Sequence, residues 1–70
     1  MLLTNKTLGK NITYYRKWRK LSKAKLAAIV GMEPNHLYCI EYGLKYPQIS
    51  IIARIAAALG VSIKELVEER

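Results

Sequence analysis

Residues 22–43, SKAKLAAIVGMEPNHLYCIEYG, carry the densest set of local signals in the chain. Ser22 is a favoured helix N-cap type, and Leu26, Ala27 and Val30 follow it at helical spacing. Gly31 supplies a residue able to adopt the left-handed conformation that stops a helix and redirects the backbone. The spacing predicts a helix over 23–30. Beyond the turn, Met32 is expected to point inward and Glu33 takes the next cap position. Pro34 stands where a first-turn proline is favoured, because its missing N–H would be unpaired anyway. Leu37 and Ile40 share one face of the following helix, and Gly43 ends it. The two segments read as short helices crossing steeply about a glycine turn, and the small side chain of Ala27 suits a close crossing.

Outward from this stretch, composition narrows the classes of partner. At 70 residues the chain is expected to hold one domain, residues 1–70, near the lower size at which a core sustains itself, with no room for a second catalytic domain. Its formal charge is +7 and its pI about 9.8, which points to a polyanion or an anionic surface. Lys6, Lys10, Arg16, Lys17, Arg19, Lys20, Lys23 and Lys25 all precede the first acid, Glu33, whereas Glu65, Glu68 and Glu69 crowd the end. Such a layout turns one side towards phosphate. A lone cysteine makes no internal disulfide and a lone histidine has no partners at zinc-ligand spacing, so no metal or cofactor is expected. A reducing cytoplasm suits the chain. The N-terminus lacks an apolar signal core, and no apolar run reaches the length of a membrane span. Paired carboxylates, a nucleophile–histidine signature and a phosphate-binding glycine loop are all missing from the sequence, which argues against an enzyme.

In chain order, residues 1–4 read as a frayed lead-in, and a helix begins near Asn5 to Thr7 and continues to about Arg19. Leu8, Ile12 and Tyr15 form its inward stripe, with Arg16 beside it. Gly9 costs this helix about 1 kcal/mol relative to alanine, so it either permits close packing or marks a loose first turn. Lys20 stands where a helix-ending glycine would be comfortable, which implies a left-handed lysine or a different connection. After Gly43, Pro47 fixes a loop and pushes Tyr46 into an extended conformation. A fourth helix is expected over 48–59 with Ile49, Ile52, Ala53, Ile55, Ala56 and Leu59 on the core side, ended by Gly60. Ser62 and Glu65 form a capping box, and Val61 with Leu66 a hydrophobic staple, for a fifth helix to about Glu68 with Ile63, Leu66 and Val67 inward. The fold class is all-α.

The ordered pieces LGKNI, KLAAIVG, HLYCIEYG, YPQI and AALGVSIKEL, from Leu8 to Leu66, resemble the lambda-repressor-like (xenobiotic-response-element) helix-turn-helix family of phage repressors and Cro-type proteins. The resemblance implies a five-helix domain that binds an operator in double-stranded DNA as a homodimer, its second motif helix lying in the major groove. Many such members regulate phage, plasmid or restriction-modification genes. It also implies an ion pair between Arg16 and Glu41, which only positions helices or also serves DNA directly; both roles can hold, because Arg16 has donors left for a phosphate. Base contacts would fall at Pro34, Asn35, Tyr38 and Cys39. Of these, the Asn35 amide can bond adenine N6 and N7 bidentately, with about 1–3 kcal/mol of discrimination. Pro34 and Cys39 depart from the polar residues usual there, which shifts weight to methyl contacts and DNA shape. Phosphate contacts would come from Ser22, Lys23, His36, Tyr42, Lys45, Tyr46 and Gln48, with Lys23 adding a cation to a helix N-terminus.

Ile51 and Ala58 are expected on the solvent side of the fourth helix; with Val67 they form a two-fold dimer patch or simply scattered surface hydrophobes. Trp18 stands at a position that resembles one other members fill with a charged residue, where it caps the core or serves a partner contact. Three function classes follow: a sequence-specific DNA-binding transcriptional regulator, a protein-interaction module using the surface of the last two helices, and an RNA or anionic-membrane binder.

Overall fold

The chain is described by a computed structural model over residues 5–69; the lead-in expected at 1–4 lies outside the described residues. Five helices follow one another: α1 (Asn5–Trp18), α2 (Lys23–Val30), α3 (Pro34–Glu41), α4 (Ile49–Leu59) and α5 (Ile63–Val67). Each contributes an apolar stripe to one core. Leu8 and Ile12 come from α1, Leu26, Ala27 and Val30 from α2, Leu37 and Ile40 from α3, Ile52, Ile55, Ala56 and Leu59 from α4, and Leu66 from α5. A leucine or isoleucine moved fully out of water contributes about 1.5–3 kcal/mol, so these side chains are what hold five short helices that would not persist alone.

The helix ends are closed by both local and distant groups. The Ser22 hydroxyl accepts the Lys25 N–H at 3.0 Å, and Ser62 with Glu65 forms the expected capping box. At Gly31, φ is 82° and the N–H donates to the Ala27 carbonyl at 2.8 Å, turning the chain towards α3. Lys20 is a left-handed lysine, φ 60°, which settles how α1 hands over to α2. Three further closures come from remote side chains. Arg54 donates to the Val30 carbonyl at the end of α2 at 2.9 Å, and Arg19 to the Leu59 carbonyl at the end of α4 at 2.8 Å. The buried amide of Asn11 donates to the carbonyls of Leu66 and Glu68 at 2.7 Å each, which fastens α5 to α1.

Gly9 is a close-packing residue. A Cβ built on it would lie 2.6 Å from the Ile40 carbonyl oxygen and 2.9 Å from the Glu41 carbonyl carbon, so α1 and α3 touch there backbone to backbone.

The expected phase of α4 is corrected at its edges. Ile49 is 65% exposed, whereas Ile51 and Ala58 are half-buried against the core. α4 is contacted by α1, α2 and α5 rather than along one face, so its buried sector widens sideways. Its first turn protrudes beyond the core. Ile63, expected inward, is 37% exposed at the start of α5, while Val67 packs against the core as expected.

Candidate nucleic-acid interface

The inner face of α3 buries Leu37, Ile40 and Glu41, and the outer face presents Asn35, Tyr38 and Tyr42 at helical spacing, with Pro34 exposed at its start. His36 and Cys39 are half-buried on the flanks, so Cys39 is less available to a ligand than its position in sequence implied. Residues 34, 35, 38 and 42 are thus brought to one surface. Lys45, Tyr46 and Gln48 are exposed in the segment leading to α4, which is pinned by the buried Pro47. The Gln48 backbone is the N-cap of α4, and its side chain makes no cap bond.

What fixes α3 is a buried fork. Arg16 Nε donates to Glu41 Oε2 at 2.8 Å and Nη2 to Oε1 at 3.1 Å. Its remaining nitrogen, Nη1, donates to the Leu21 carbonyl at 2.8 Å. Thr13 Oγ1, 3.0 Å from Glu41 Oε1 and 2.9 Å from the Gly9 carbonyl, directs its single proton to one or the other. The side chains of Arg16 and Glu41 are 9% and 2% exposed. The pair therefore orients α3 on α1, and Arg16, 7% exposed, spends three of its five N–H donors on internal partners. Thr13 was missed in the sequence, where a helical threonine has no signature of a partner 28 residues away.

At the rim, Lys23 opens α2 and leans over α3. Its ammonium lies 4.5 Å from the ring centroid of Tyr42 and 5.0 Å from that of Tyr38, and 3.4 Å from the Tyr42 hydroxyl. The two rings meet edge to face at 4.5 Å. These distances are in the range where the negative face of an aromatic ring attracts a cation. The i,i+4 spacing of Tyr38 and Tyr42 makes them neighbours on a helix; nothing local foretells the lysine.

A profile of the helix-turn-helix (HTH_3) family matches residues 12–66, spanning α2, the Gly31 turn and α3. The chain belongs to that family. As a helix-turn-helix chain it is 33% identical over 64 residues to the HTH-type transcriptional regulator SinR of Bacillus subtilis, covering 90% of this chain and 58% of SinR. It is 33% identical over 63 residues to the immunity repressor protein of Bacillus phage phi105, covering 90% of this chain and 44% of that one. The chain thus spans about half the length of these relatives. Among solved structures it is similar to the master regulator for biofilm formation SinR in complex with DNA, with a TM-score of 0.84 and 32% identity over 87% of this chain and 98% of that one. Among the described residues no group of histidine, cysteine and acidic side chains could hold a metal ion, and no helix is long and apolar enough to cross a membrane.

Proposed function

We propose that the chain is a sequence-specific double-stranded DNA-binding transcriptional regulator, a repressor or controller acting in the cytoplasm. Residues 1–70 work as one reading domain that inserts α3 into the major groove. The observation that carries this reading is the outer face of α3: Asn35, Tyr38 and Tyr42 stand exposed, the two tyrosine rings beside the Lys23 ammonium, while a buried ion pair fixes the helix from behind. The names of the relatives, a repressor and a regulator solved with DNA, support it.

In this mechanism the basic surface first attracts the duplex through its phosphates. Lys23, Lys45, Tyr46 and Gln48 then bracket the groove and set the register, aided by the unpaired N–H groups at the start of α2. Asn35 reads an adenine edge, and Tyr38 offers a hydroxyl and a ring edge. Pro34 has no N–H to give. Two copies related by a two-fold axis place their α3 helices about 34 Å apart on successive major grooves of a palindromic operator. The half-exposed edges of Ile51, Ala58 and Val67 are the proposed contact between them.

Selecting bound duplexes from a random pool tests the reading: a palindromic motif with salt-sensitive affinity is expected, and recovery of no motif refutes it. The exposure of Ile49 and Ile63 favours a second reading, a protein-interaction module working through α4 and α5. That reading requires weak, salt-insensitive duplex binding.

A further inference from the structure

Lys23 comes from α2, which in the proposed function abuts the DNA backbone, and Tyr38 from α3, proposed to enter the groove, yet their charged and aromatic groups meet. We propose that Lys23, Tyr42 and Tyr38 act as one specificity-determining unit, in which the ammonium that contacts phosphate also fixes the ring that contacts a base edge. The proposal rests on the DNA-binding reading above and deepens it.

A lysine at a first helical position is ordinarily a swinging point charge on a flexible stem. Here Lys23 is half-buried, with its ammonium 4.5 and 5.0 Å from two ring centroids and 3.4 Å from the Tyr42 hydroxyl. An ammonium has three N–H donors. One is directed to the Tyr42 oxygen, which leaves donors for a phosphate oxygen drawn to the α2 N-terminus. The side chain is therefore ordered before DNA arrives, so less rotamer freedom is lost on binding.

Tyr38 gains the complementary restraint. Lys23 engages its ring and Tyr42 packs on it at 68°, while the ring stays 47% exposed. A tyrosine held in one rotamer presents its hydroxyl and ring edge at one place in the groove. There it separates a thymine methyl from a cytosine amino group, whereas a swivelling ring averages over both. An independent phosphate contact would strengthen all duplexes alike. The clamp makes Lys23 contribute to sequence preference as well, with Tyr42 as the positioning residue.

The test measures affinity for the selected site and for each of its single-base variants, with far-UV circular dichroism to verify folding. Lys23→Ala is expected to reduce the salt slope by about one and to cut discrimination about three- to tenfold at the base pair that Tyr38→Ala affects. Tyr42→Leu, which keeps the charge of Lys23 and removes its seat, loses discrimination at that same pair. Tyr42→Phe, which retains the ring but loses the hydroxyl that accepts from Lys23, keeps part of it, and Lys23→Arg restores part of what Lys23→Ala loses. Should Lys23→Ala weaken every duplex equally while discrimination stays intact, the clamp is refuted and the DNA reading stands. Should the unmodified protein select no sequence at all, the DNA reading fails first.

Discussion

Gly9→Ala sets two physical effects against each other. Alanine is the better helix former by about 1 kcal/mol, so propensity alone makes the variant more stable. Packing says the opposite. The added methyl would lie 2.6 Å from the Ile40 carbonyl oxygen, about 0.8 Å short of ordinary van der Waals contact, and the obstructing atoms are backbone with no rotamer to change. Relief requires α3 to withdraw from α1 at the residues that carry the Glu41 carboxylate, which stretches the 2.8 Å bond to Arg16. Overpacking typically costs about 1–3 kcal/mol, and rigid backbone on both sides places this case at the upper end. After the propensity gain, a net loss of about 2 kcal/mol remains. For a domain of this size that lowers Tm by roughly 10 °C. Thermal and urea unfolding followed by circular dichroism measure it, and a variant as stable as the parent or more so would refute the close α1–α3 contact.

Three further perturbations bear on the scaffold and the reading face. Arg16→Ala leaves a buried carboxylate without its cation, and urea unfolding is expected to show a loss of about 3–5 kcal/mol. Asn11→Ala removes the donors that hold the last carbonyls of α5; about 1–3 kcal/mol of stability is lost, with amide exchange accelerating first in residues 63–68. Asn35→Ala is expected to relax preference at one base position by about 1–3 kcal/mol, read by competition between duplexes that differ at single positions. An unchanged motif would remove Asn35 from the reading face.

What was legible in the sequence was whatever a few neighbouring residues decide together. Ser62 with Glu65 marks a helix start, Gly31 and Gly60 mark helix ends, and the observed boundaries follow them. The core face of α3 was equally plain, because Leu37 and Ile40 are the two aliphatic side chains of PNHLYCIE and stand three apart. In α4 the run ISIIA is apolar at four of five positions, so periodicity could not choose the phase, and Ile49 and Ile51 exchanged roles. Asn11, Arg19 and Arg54 were silent for another reason. Their partners are backbone carbonyls 55, 40 and 24 residues away, and a carbonyl has no identity in a sequence. In the candidate site, the resemblance supplied Arg16 with Glu41, whereas the seating of Lys23 on two rings emerges only when α2 crosses α3.

The arginines that close helix ends leave a mark on how this surface behaves towards a polyanion. Arg16 is buried, and Arg19 and Arg54, though exposed, each commit a nitrogen to a backbone carbonyl, so most cations wholly free to face outward among the described residues are ammonium groups. A guanidinium clasps two phosphate oxygens in a fixed plane; an ammonium attracts from any direction and holds none in particular. On the DNA-binding reading proposed above, such a surface reaches nucleic acid quickly, glides along it with little friction, and pauses only where the groove itself rewards stopping.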